Sequence, residues 1–113
     1  MNSDKERIKE IQRCCGRILT ECKEIKKAGF LVEALKSNLT FQESVLFNLI
    51  QIGENVNRLS EQFVEMYPEV PWHQIVGMRN VITHGYGSID IEAIADTVER
   101  DIPALYDQCL NFF

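Results

Sequence analysis

Four side chains with useful chemistry stand within eight positions: Arg79, Asn80, His84 and Tyr86, in the stretch Met78-Arg79-Asn80-Val81-Ile82-Thr83-His84-Gly85-Tyr86. His84 is one of only two histidines in the chain. Metal-free chemistry at a phosphate ester, one reaction such groups could serve, needs a base for the attacking hydroxyl, an acid for the leaving oxygen and positive charge beside the phosphorus. An imidazole suits the first two tasks, because this side-chain type exchanges protons near neutral pH. A guanidinium suits the third, since its planar fork matches phosphate oxygens. Asn80 is then free to orient the imidazole or to touch a substrate.

Spacing predicts how these groups sit. Val81 and Ile82 keep the stretch apolar in the middle, so it reads as the end of a packed helix that Gly85 closes in a left-handed conformation. Asn80 and His84 are four apart and share a face, close enough for the amide to bond one imidazole nitrogen. Arg79 and Tyr86, seven apart, align only if the helix runs that far. Arg79 and His84 are five apart and point about 140° away from each other. One helix therefore holds them badly for joint work on a single atom, and two copies facing each other across a symmetry axis supply the complement. The plainer alternative pairs Arg79 with an acid and leaves His84 as a polar helix end.

The elements that must carry this stretch read as helices throughout. A first helix begins near Ser3 or Asp4 and repeats Ile8, Ile11, Cys15, Ile18, Cys22 and Ile25 at intervals of three and four, then stops at Gly29. Phe30 to Leu35 forms a short apolar helical piece. Ser37 or Asn38 restarts the chain, Thr40 with Glu43 fits a capping box, and a second long helix runs to about Met66. Its apolar positions are Val45, Leu46, Leu49, Ile52, Val56, Leu59, Phe63 and Met66. Gly53 within it costs about 1 kcal/mol relative to alanine, which marks a close helix crossing there. Pro71 opens a third helix with Trp72, Ile75, Val76, Val81 and Ile82 on its buried face. Asp90 caps a fourth, and Pro103 implies a kink or restart near Asp101. The fold class is all-α, an antiparallel four-helix bundle with one short extra segment.

Composition narrows the rest. At 113 residues there is room for one domain, residues 1–113. Twelve basic against seventeen acidic residues give a net charge of −5, so the chain lacks a general basic footprint for nucleic acid. Any nucleic-acid binding would have to come from a local cluster or from the field of an oligomer. No apolar run is long enough for a membrane span and no signal core follows the N-terminus, so the expected location is the cytoplasm. Cys14, Cys15, Cys22 and Cys109 include no Cys-x2-Cys pair and read as reduced, small apolar residues, with Cys14 and Cys15 pointing to different sides of their helix. With two histidines and no Glu-x-x-His pair, a metal centre is not expected. His73 reads as a surface residue. Glu54 stands four before Arg58, a helical ion pair, and its alternative is to bond and position Arg79.

The Arg79-x4-His84-x-Tyr86 pattern resembles the HepT toxin family of the HEPN superfamily. Ile52-Gly53-Glu54-Asn55 with Arg58-Leu59-Ser60, Pro71-Trp72, Gly77-Met78-Arg79-Asn80 and Ile89-Asp90 extend that resemblance in register over roughly residues 41 to 105. Glu43-Ser44, Asn55 and Gly85 depart from the family pattern without touching Arg79, His84 or Tyr86. The resemblance implies a homodimeric, metal-independent endoribonuclease with no cofactor, in which Arg79, Asn80 and His84 are catalytic and Glu54 supports the site. It further implies a toxin neutralised by a cognate nucleotidyltransferase of the MNT type, with Tyr86 as acceptor of the transferred AMP. The alternative it leaves open is a non-catalytic substrate-binding or regulatory partner of that nucleotidyltransferase.

Overall fold

The computed structural model describes residues 3–28 and 30–113, with the side chains of 26–28 and of 86 outside the description. Every regular element among the described residues is helical. The long first helix, α1 (Ser3–Ala28), is followed by the short α2 (Leu31–Ser37) and by α3 (Leu39–Asn57) at the centre of the molecule. Then come α4 (Glu61–Met66), α5 (Trp72–His84), a 3-10 turn (Tyr86–Ser88), α6 (Ile91–Asp96), a π turn (Thr97–Asp101) and α7 (Ile102–Leu110). The fold is the expected all-α antiparallel bundle. Its long members are α1, α3, α5 and the bent α6–α7 rod, and α2 is the short extra segment.

Periodicity explains the core. Ile8, Ile11, Cys15, Ile18 and Cys22 are buried along α1, and they meet Val45, Leu46, Leu49, Ile52 and Val56 of α3. Glu21 accepts from Ser44 at one end and Arg7 donates to Asn55 at the other, which fixes α1 and α3 as antiparallel neighbours. Tyr106 of α7 packs beside Gly16 on the far side of α1. A cluster of Phe63, Tyr67, Trp72, Phe112 and Phe113 seals the end of the bundle, and the Trp72 indole donates to the Tyr67 carbonyl at 3.0 Å.

Several boundaries differ from the periodic reading. The second long helix does not reach Met66. It ends at Asn57, Arg58 and Leu59 form a turn, and the Ser60 side chain caps α4 by accepting from Phe63 N. The break is stabilised from a distance, because the Asp4 carboxylate accepts from both the backbone N–H and the hydroxyl of Ser60, at 2.9 and 2.7 Å. Asn38, one of the two expected restart residues, caps α3 through its side chain, and Thr40 lies inside the helix rather than in a capping box. Met66 and Val81, expected in the core, are 63% and 58% exposed. Cys14 and Cys15 are both buried, although adjacent positions point to different sides of the helix.

Other expectations hold. Asp90 caps α6, accepting from Glu92 N and Ala93 N. Pro103 acts as predicted, since a proline one turn on cannot donate and crowds the preceding carbonyls. The rod widens into the π turn, where Ile102 N–H bonds the Thr97 carbonyl, and then resumes as α7. None of the four cysteines is in a disulfide, and all are buried. Burial holds the Cys14 thiol above its ordinary range and Cys15 further above, and pushes Cys109 up to about 12. The stop expected at Gly29 lies outside the described residues. No helix among those described is long and apolar enough to cross a membrane.

Candidate active site

The site is built where α5 crosses α3. Gly53 makes the crossing possible: a Cβ at this position would collide with Cβ of Arg79, lie 2.8 Å from its Cγ and stand 3.5 Å from the Ile75 carbonyl oxygen. The glycine predicted to mark a helix crossing does mark one, and the residue that lies over it is Arg79. A helical glycine costs about 1 kcal/mol relative to alanine. The chain accepts that cost where the arginine stem must lie against backbone.

Once seated, the Arg79 guanidinium is held from two sides. Its Nε donates to Glu54 Oε1 at 2.6 Å and its Nη2 donates to the same oxygen. Its Nη1 donates to Asn80 Oδ1. Three of the five N–H groups are thus engaged, and two remain for a further acceptor. The Arg79 and Glu54 side chains are 24% and 31% exposed, so their ion pair is screened and worth only about 1 kcal/mol. Its value lies in orientation. The second Glu54 oxygen lies 4.0 Å from Arg58, the expected helical pair, so one carboxylate holds a residue of its own helix and the arginine from the next.

Asn80 departs from the expected geometry. Its amide oxygen takes the Arg79 guanidinium, not the His84 imidazole, because the adjacent arginine bends back over the amide. His84 itself is exposed in the last turn of α5, and no hydrogen bond to its imidazole is found among the described residues. Arg79 and His84 therefore leave the same straight helix on flanks about 140° apart, one turned to α3 and the other to solvent.

Gly85 ends α5, but not in the left-handed region, since its φ is −114°. What demands glycine is proximity: its backbone N–H bonds the Val81 carbonyl at 2.8 Å, and a Cβ would lie 2.9 Å from that oxygen. The helix does not reach Tyr86, which opens the 3-10 turn, so the seven-residue alignment with Arg79 is lost. The Tyr86 side chain, the expected modification acceptor, lies outside what the structure describes. His73 is exposed, as expected for a surface residue. Among the described residues no group of three or more His, Cys, Asp or Glu side chains is placed to hold a metal ion.

The exposed face of α5 carries a feature that the sequence reading passed over. Gly77 has nothing within 4 Å of where a Cβ would be, and Val81 beside it is largely exposed. Here a glycine in mid-helix answers to no neighbour among the described residues, unlike Gly53. It lies on the same side of the helix as Asn80, Val81 and His84.

The profile of the family described as "Ribonuclease HepT-like" matches residues 6–111. A protein of Thermococcus cleftensis named "Probable ribonuclease HepT" is 29% identical over 91 residues, covering 73% of this chain and 83% of its own. A "Putative RNase" of Caldanaerobacter subterraneus subsp. tengcongensis is 33% identical over 100 residues, covering 80% of this chain and 83% of its own. A "Putative RNase" of Methanocaldococcus jannaschii is 39% identical over 71 residues, 63% of this chain and 58% of its own. No solved structure matches the chain.

Proposed function

The chain belongs to the HepT-like ribonuclease family, and from that premise we propose that it is a metal-independent endoribonuclease whose cleavage groove forms between two copies. The observation that carries this reading is the division of labour along α5. Arg79 is held ready by Glu54 and Asn80 with N–H groups to spare, while His84 stands unengaged on another flank. A second copy packed on the face of Gly77, Val81 and His84 brings the imidazole of one chain toward the guanidinium of the other. It also gives the open glycine a reason.

In that groove one His84 takes the 2′-hydroxyl proton as the 2′-oxygen attacks phosphorus. Arg79 bears the charge that builds on the nonbridging oxygens. The bond to the 5′-oxygen breaks, that oxygen leaves with the proton the same imidazole then carries, and a 2′,3′-cyclic phosphate remains. Asn80 and Glu54 keep the guanidinium in register. In this account residues 1–113 form one HepT-like domain that works in the cytoplasm as the toxin of a toxin–antitoxin pair. A cognate nucleotidyltransferase of the MNT type neutralises it by adenylylating Tyr86. The phenol oxygen attacks the α-phosphorus of ATP, pyrophosphate leaves, and the added AMP blocks the groove with bulk and negative charge.

The net charge of −5 favours a second reading, a non-catalytic partner of the nucleotidyltransferase. One experiment separates the two. Purified protein, checked by intact mass for unmodified Tyr86, is incubated with total RNA in EDTA beside Arg79→Ala and His84→Ala proteins. Cleavage that both substitutions abolish supports the nuclease. Cleavage that survives both places the activity elsewhere, and its absence from every unmodified sample favours the binding module.

A further inference from the structure

An acidic chain that handles RNA needs a local cationic surface, and five of its six arginines lie along one side of the bundle. Arg7 reaches from α1 to Asn55 of α3. Arg58 and Arg79 meet at Glu54. Arg13 and Arg17 line an open groove between α1 and α3, whose other walls include Thr20, Glu21, Ser44, Phe47 and Asn48. Three carboxylates along this strip are engaged: Glu10 with Arg13, Glu21 with the Ser44 hydroxyl, and Glu54 with Arg79. Arg17 is exposed and has no hydrogen bond or ion pair among the described residues, although its field helps hold the Glu10 carboxyl below the usual range after the hydrogen bond from Arg13.

Phe47 gives this groove its character. It is 56% exposed beside the buried Val45, Leu46, Asn48 and Leu49 of the same helix, and it stands on the outer face of α3 next to the arginines of α1. On that outer face Phe47, Gln51, Glu54 and Arg58 succeed one another at helical spacing. Phe47 therefore lies seven residues, or about 10 Å, along α3 from the carboxylate that holds Arg79. Beneath it Asn48 is buried, donates to the Ser44 carbonyl at 2.9 Å and leaves its Oδ1 without a partner among the described residues. A flat aromatic face flanked by guanidiniums is the combination that holds single-stranded nucleic acid: a base stacks on the ring while the cations take the phosphates.

We propose that the α1–α3 groove around Phe47, Arg13 and Arg17 is an auxiliary seat for single-stranded RNA, holding a nucleotide outside the cleavage site and guiding the strand toward Arg79. This rests on the reading of the chain as a ribonuclease, but it makes a separate claim about binding. A double-stranded substrate would gain little here, because its bases are not available to stack.

The test measures binding in protein that cannot cut. His84→Ala protein, and the same protein carrying Phe47→Ala, Phe47→Trp or Arg13→Gln with Arg17→Gln, is titrated with fluorescein-labelled oligouridylate at several salt concentrations. Circular dichroism confirms the fold, and light scattering reports the number of copies. Phe47→Ala is expected to weaken binding about tenfold, and Phe47→Trp to preserve it. The double glutamine variant is expected to flatten the dependence of log affinity on log salt by about 0.7 for each lost contact. Unchanged affinity in Phe47→Ala, or no binding by the His84→Ala parent, overturns the proposal. So does loss of assembly in Phe47→Ala, which would make the groove an interface between copies. The nuclease reading fails independently: Phe47-dependent binding without any cleavage by unmodified, unsubstituted protein removes the enzyme and leaves the groove standing.

Discussion

At the α3–α5 crossing the Arg79 guanidinium is gripped by Glu54 and Asn80 and its stem lies on Gly53. Five residues on, at the open end of α5, His84 is exposed and the chain turns away through Gly85. The same helix thus presents one group whose position is set by the fold and another that is exposed and held by no hydrogen bond among the described residues. The contrast follows from the chemistry assigned to each. A charge stabiliser works best when its dipoles are fixed before the transition state forms. An acid–base group needs only to come within hydrogen-bond reach once the substrate is bound.

Substitutions should break the two ends of α5 in different ways. The largest effect is expected from His84→Ala, which should lower cleavage of an RNA oligonucleotide by roughly 10²–10⁴-fold with the melting temperature unchanged. A clear fall in melting temperature would mean that the end of α5 is structural after all. Arg79→Lys should lower the rate about 10²–10³-fold despite conserving charge, because an ammonium cannot hold Glu54, Asn80 and phosphate at once. Near-normal turnover in this variant would show that the crossing supplies charge and not geometry.

Glu54→Gln sharpens the comparison, since it loosens the grip and leaves every catalytic group in place. The expected loss in kcat is about tenfold, within the range that small misplacements produce. KM should change little. A KM effect alone would make Glu54 a substrate contact. Gly53→Ala is expected to destabilise by about 1–3 kcal/mol through overpacking against Arg79, and urea denaturation would measure it. Gly77→Ala, on the open face, should leave the isolated fold as stable or more so while weakening assembly, as seen in a concentration series by light scattering.

The smallest effect concerns a region remote from both ends. Burial raises the pKa of the Cys14, Cys15 and Cys109 thiols and leaves them protonated at neutral pH. Iodoacetamide should therefore label native protein slowly and cleavage should persist. The sign for stability follows. Below about pH 9 the folded and unfolded thiols are both protonated, and between that value and about 12 only the unfolded Cys109 ionises. Thermal stability should fall across that alkaline window.

Much of this arrangement is legible in the sequence because it is local. The three-and-four spacing of Ile8 to Cys22 and of Val45 to Val56 names the core, Asp90 names a cap, and Gly53 in an apolar helical run names the crossing. What escapes is set by partners far along the chain or by competition between neighbours. The break at Ser60 depends on Asp4, 56 residues away. Spacing points Asn80 at His84, whereas its bond to Arg79 follows from how that side chain leaves Gly53. Val81 looks like a core residue by type, yet the rotation of α5 that seats Arg79 on α3 turns it outward. Gly85 reads as a left-handed stop by habit, whereas the constraint is the carbonyl of Val81.

The central claim is that the groove draws its arginine from one copy and its histidine from another. The direct measurement is complementation. Arg79→Ala and His84→Ala proteins, each inactive alone, are unfolded together, refolded as a mixture and assayed on RNA in EDTA. Mixed assemblies contain one site with Arg79 from the second chain and His84 from the first, so cleavage should return well above either parent. A mixture as inactive as its parents, with mixed assemblies shown to form by tagging one chain, would place both residues in a site within a single chain and contradict the account.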